Sequence, residues 1–196
     1  MHGLINCALE RFVRDTYGSP IWADVIRASN IEIDTFEAML SYKNNITFQI
    51  LTALSQTLEK PPGEVLEDIG MYLVSHSNNE ALRRLMRFSG VTFEDFLYSL
   101  DDLHDRARLA VPDLTLPDLE LLEEVGGQFE LLVRANMPGI GFVLMGVLRA
   151  MADDYGALVF LEHKGNVANC EKLSISLLEN SFSEGREFHL GRAVGE

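Results

Sequence analysis

In the first two thirds of the chain, apolar positions recur three and four residues apart, and glycine and proline cut them into helix-sized lengths. Leu4, Ile5, Ala8, Leu9, Phe12 and Val13 form one stripe, which Gly18 stops. Ser19-Pro20 opens a second helix through about Ala28, with proline in its first turn. Asn45 is placed to cap a third, carrying Phe48, Leu51, Leu54 and Leu58. Pro61-Pro62 ends it and starts a fourth, with Val65, Leu66, Ile69 and Leu73. Asn78 or Asn79 opens a short helix with Leu82, Leu85 and Met86, closed by Gly90. Thr92 caps the next, and Asp95 three residues on completes an approximate capping box.

After Pro117 the period changes. Leu119 to Val125 and Phe129 to Val133 flank Gly126-Gly127, a pair suited to the positive φ angles of a tight hairpin turn. A helix returns from about Pro138 to Tyr155, with Val143, Val147 and Met151 on one face. Two strands follow, Leu158 to Glu162 and Leu173 to Leu178; in the second, Leu173, Ile175 and Leu177 alternate with Ser174 and Ser176. Helices, then hairpin, helix and hairpin make an α+β layout. The predicted organisation is a single domain over residues 1–181, with a tail over 182–196.

Composition narrows the partners. A chain of 196 residues, 47% of them apolar, is enough for one sizeable core. The formal charge of −14 disfavours nucleic acid and anionic membrane surfaces. No apolar run reaches the roughly 18 residues that span a bilayer, and the N-terminus reads as the first helix rather than a signal peptide. Cys7 and Cys170 are far apart and suggest no ligand spacing; they are expected to be small buried thiols in a cytoplasmic protein. No nucleophile–base arrangement, phosphate loop or metal cluster is legible, so the chain is not expected to be an enzyme.

His104 is the residue that carries chemistry. On its helix the positions −7, −4, +3 and +7 are Leu97, Leu100, Ala107 and Val111, all apolar, while Asp101, Asp102, Asp105 and Arg106 lie off that stripe. A histidine at the centre of a buried face is either a core residue with two hydrogen-bond partners or a ligand. His76, His163 and His189 lack partners at ligand spacing and are expected at the surface, as is His2.

An ordered set of residues bears on that choice. The chain opens Met1-His-Gly3-Leu-Ile5-Asn; Tyr17-Gly18 and Trp22 follow. Then come Leu103-His104-Asp105, Pro112 eight residues after the histidine and Pro117 five further on, and later Gly139 and Gly146, seven apart. In this order and spacing the chain resembles the haem nitric oxide/oxygen binding (H-NOX) family, in its stand-alone bacterial form. The resemblance implies a helical part over about 1–60 and a cofactor-enclosing part over about 61–181 that contains a four-stranded antiparallel sheet. It implies haem b, with His104 as the one protein ligand to iron and Pro117 pressing on the porphyrin. Leu100 shares the histidine's stripe, and Leu4, Ile5, Leu9, Leu73, Val143 and Met145 are candidates for an apolar distal wall. Val143 falls where oxygen-binding members carry a tyrosine, so the expected ligands are nitric oxide and carbon monoxide rather than oxygen. Binding of nitric oxide would weaken the His104 bond and rotate the two parts. The signal would pass in trans to a partner such as a histidine kinase or a cyclic-di-GMP enzyme.

One part of the family pattern is missing. The family carries Tyr-x-Ser-x-Arg before the Gly139 helix to grip the haem propionates; here the stretch reads Leu132-Val133-Arg134-Ala135-Asn136-Met137. Counting back from Gly139 puts Val133, Ala135 and Met137 at the three positions. Counting forward from Gly127 puts Leu132, Arg134 and Asn136 there, with Arg134 as a candidate replacement for the lost charge. A one-residue slip turns every side chain to the opposite face, so the two registers exclude each other. The gap also leaves a second function open: a degenerate, haem-free domain that acts as an interaction scaffold or holds another apolar ligand.

Overall fold

The computed structural model describes residues 3–88, 90–103 and 116–186. Helix α1 spans Gly3–Tyr17 and buries Leu9, Phe12 and Val13. Helix α2, Ser19–Ser29, has proline in its first turn and buries Trp22 and Val25. Helix α3 spans Asn44–Leu58. It begins one residue earlier than the expected cap: Lys43 occupies that position, and Asn45 lies inside the helix. Helix α4, Pro62–Ser75, starts at the proline pair. A short 3₁₀ turn, Ser77–Asn79, leads into α5, Glu80–Arg87. Helix α6, Phe93–Tyr98, carries the expected capping box: the Asp95 N–H donates to Thr92 Oγ1 at 3.1 Å, and the Thr92 N–H donates back to Asp95 Oδ2 at 2.9 Å.

The second half forms one antiparallel sheet around one helix. Strands β1 (Asp118–Glu123) and β2 (Gln128–Arg134) are joined at Gly126 and Gly127, whose φ angles of 80° and 76° only glycine adopts readily. Helix α7 spans Ile140–Tyr155. Strands β3 (Leu158–Val167) and β4 (Cys170–Glu179) follow, both longer than the alternating apolar residues suggest. Their turn is Ala168-Asn169, each in the left-handed region, and an irregularity between His163 and Asn166 takes up Gly165. The sheet order is β1-β2-β4-β3. The α+β class and the four-stranded sheet are therefore as expected.

Among the described residues, apolar side chains form two cores. One gathers the first four helices around Trp22, Ile50, Leu54, Val65 and Ile69. The other fills the space between the sheet, α6 and α7, with Phe96, Leu97, Leu131, Leu148, Met151 and Ile175 at its centre. Helix α4 serves both, because Tyr72 faces the first core and Val74 the second. Helix α7 crosses α4 at very short range. A Cβ on Gly70 would lie 2.0 Å from the Val143 carbonyl oxygen, and one on Gly146 would lie 2.0 Å from that of Glu67. Both glycines are needed for the crossing.

Candidate functional site

The α4–α7 crossing distributes the expected pocket residues. Leu9 is buried in the first core, and Leu73 and Val143 pack half-buried against it. Met145 and Leu100 are buried in the second core. Leu4 and Ile5 are half-buried at the start of α1. His104 and Pro112 lie outside the described residues. The residues on either side of that stretch, Leu103 and Leu116, both pack on the second core together with Leu144 and Met145. Pro117 is half-buried immediately before β1.

The two registers of the strand before Gly139 are resolved by β2. Phe129, Leu131 and Val133 face inward, Val133 with no exposed surface. Arg134 points the other way. Its side chain is 49% exposed and its Nη2 donates to Glu120 Oε2 at 2.8 Å on β1. The glutamate holds the Arg134 guanidinium above its ordinary range. The register counted forward from Gly127 is therefore not the inward one: pleat alternation puts Arg134 on the outer face. Beyond the strand, Ala135 is half-buried and Met137 packs on the first core. The inward row is the apolar one.

A polar group sits beside that row that the sequence did not disclose. Glu171 on β4 pairs with Val133 across the strands, and it is 4% exposed. The Gly139 N–H donates to its Oε1 at 2.9 Å and the Gly141 N–H to its Oε2 at 3.2 Å. His163 Nε2 lies 2.8 Å from the same Oε2. The Gly165 N–H donates to His163 Nδ1 at 3.1 Å, an arrangement that leaves Nε2 to face Glu171 as the donor. The His163 ring stacks on Phe142 with centroids 4.3 Å apart and planes 3° from parallel. A Cβ on Gly141 would stand 2.6 Å from Glu171 Oε2, so the start of α7 is shaped around this carboxylate. His163 is thus not a surface residue; its side chain is 14% exposed. The available signal was its register: His163 follows Leu161, and Glu171 precedes Leu173 and Ile175, each at the inward period of its strand.

Tyr72, beside Leu73, is committed elsewhere. Its hydroxyl donates to Asp15 Oδ2 at 2.6 Å, and Asn78 Nδ2 donates to the same oxygen at 2.9 Å. Burial and the Asp15 carboxylate push the Tyr72 phenol up to about 12. Asp15 is held below its ordinary range, chiefly by the Tyr72 hydrogen bond. Asn6, next to Ile5, is fully buried. Its Oδ1 accepts from Thr47 at 2.7 Å, and its Nδ2 has no hydrogen-bond partner among the described residues.

Leu9, Leu73, Leu100, Val143 and Met145 suit the apolar faces of a flat macrocycle. Its carboxylate edge is not matched, because the β2 row offers no donor side chain. Among the described residues no group of three or more metal-ligating side chains occurs, and no described helix is long and apolar enough to cross a membrane.

The sequence profile of the Haem-NO-binding family matches residues 2–163. Two curated relatives are soluble guanylate cyclases. One is gcy-31 of Caenorhabditis elegans, 24% identical over 154 residues, which are 79% of this chain and 22% of that protein. The other is 89Da of Drosophila melanogaster, 23% identical over 158 residues, 81% of this chain and 24% of that protein. The chain spans about a quarter of the length of these relatives. Its fold is similar to that of an H-NOX protein from S. oneidensis solved as a mutant in the Fe(II) state. That comparison has a TM-score of 0.78 and 20% identity and covers 92% of this chain and 98% of that one. An unliganded Fe(II) H-NOX protein from K. algicida gives a TM-score of 0.75 and 19% identity over 94% and 100% of the two chains.

Proposed function

Because the chain belongs to the Haem-NO-binding family, we propose that it is a cytoplasmic haem-based sensor of nitric oxide that reports to a partner protein. The observation that carries this reading is the family match over residues 2–163, which includes His104. In this reading His104 is the iron ligand. Leu100 and Pro117 would line its side of the cofactor, and Leu4, Ile5, Leu9, Leu73, Val143 and Met145 the opposite side. Haem b, when bound, would supply an iron able to take a diatomic gas. The chain's part would be to hold a single imidazole among apolar side chains and to line the open face chiefly with hydrocarbon. The Val143 side chain has no N–H or O–H to donate, and the Tyr72 hydroxyl is spent on Asp15. Nitric oxide and carbon monoxide depend less than oxygen on such a donor.

A second reading has its own support. The inward row Val133, Ala135, Met137 removes the family's carboxylate grip, which fits a haem-free domain that acts as a scaffold or holds another apolar ligand. One experiment separates the two. Purified protein is supplied with haem, reduced, and exposed to nitric oxide, carbon monoxide or air. The sensor reading expects one haem per chain, spectral shifts with the first two gases, and no stable oxygen complex. A chain that takes up no haem supports the scaffold. A persistent oxygen complex would contradict the gas selectivity, and Asn6 would be the first donor to replace.

A further inference from the structure

We infer that the cofactor site does not recognise porphyrin carboxylates, because Glu171 already fills the anion-accepting end of α7 that borders the β2 row. This rests on the haem-sensor reading above. Three observations carry it.

First, the end of β2 presents only apolar side chains inward, with Val133 fully buried and Ala135 and Met137 continuing the row. Second, the backbone N–H groups of Gly139 and Gly141, the natural anion donors at the start of α7, are both spent on Glu171. The missing Cβ of Gly141 is what admits that carboxylate. Third, the described basic side chains of the sheet and α7 are each tied to an acid of the same chain. Arg134 pairs with Glu120, Lys172 with Glu130, Lys164 with Glu162 and Arg149 with Glu67. His163 Nδ1 accepts from the Gly165 N–H while Nε2 faces Glu171, and no described lysine or arginine pairs with that buried carboxylate. A second carboxylate brought to this edge would meet a fixed like charge at low dielectric and find no donor in exchange. The site therefore takes a tetrapyrrole through its apolar faces and its metal, and leaves the acidic edge to water.

The test compares iron protoporphyrin IX with its dimethyl ester, both dispersed in the same mild detergent and titrated into the full chain by absorption. The expected result is dissociation constants within about threefold of each other. A carboxylate clamp would instead weaken the ester roughly tenfold to a hundredfold for each charge-assisted hydrogen bond that esterification removes. Glu171→Gln, which removes the charge and keeps one of the two acceptor oxygens, should shift the preference toward the diacid without weakening the ester. A wild-type preference of tenfold or more for the diacid would overturn the inference and leave the haem reading intact. Failure of both porphyrins to bind would overturn the haem reading, and the inference with it. The wild-type comparison decides the matter even if Glu171→Gln folds poorly.

Discussion

Val133 and Arg134 are adjacent in the chain and opposite in fate. The first is sealed in the core, and the second lies in water against Glu120. An ion pair so exposed is screened by solvent and adds little to stability. Arg134→Ala is therefore expected to leave both the haem dissociation rate and the urea midpoint of unfolding unchanged. Stopped-flow transfer of haem to an acceptor protein and urea unfolding would check it, and a faster loss of haem would return Arg134 to the site. Tyr72 has a pH signature. The folded chain holds its phenolic proton up to about pH 12, whereas an unfolded chain releases it near 10. The folded state thus binds more protons between these values, so the contribution is complete below pH 10 and is lost as pH rises toward 12. Thermal unfolding of Tyr72→Phe should show a shallower alkaline decline than the parent. Parallel declines would mean that the Asp15 contact does not set the phenol's behaviour.

Among the elements, the crossing of α4 and α7 governs the site. It brings Leu73 and Val143 to the same core and places Phe142 against both cores. A methyl group at Gly146 would press on the Glu67 carbonyl at 2.0 Å, with the backbone of Met71 close behind. Backbone cannot yield as a side-chain tip can, so Gly146→Ala is expected to cost about 3 kcal/mol, the upper part of the usual overpacking range. Urea denaturation would measure it, and a loss below about 0.5 kcal/mol would show that the helices separate easily. These elements were largely legible in the sequence because proline and glycine mark their ends: Gly18, Pro20, Pro62 and the Gly126-Gly127 turn all fall at boundaries. The β3–β4 hairpin was underestimated. Its turn is Ala168-Asn169 rather than a glycine pair, and Gly165 within a polar run imitates a loop where the strand continues past an irregularity.

For the molecule as a whole, the limits of sequence reading are those of pairing across strands. Periodicity showed that Val133 and Arg134 lie on opposite faces, but not which face meets the core; pairing with Glu171, Leu173 and Ile175 on β4 decides that. The Glu171–His163–Phe142 group has the same origin, because its members come from three elements and no local spacing joins them. The burial of Leu9, Leu100 and Met145 was easier to read, since apolar spacing within one helix is enough to indicate it. The account as a whole depends on one imidazole. The most direct measurement is the haem content of His104→Ala and His104→Gly after purification and reconstitution, read from the Soret absorbance per chain. The account predicts that the alanine protein remains folded without stable haem, and that added imidazole restores the spectrum of the glycine protein. One haem per chain in the alanine protein, with an unchanged spectrum, would contradict it.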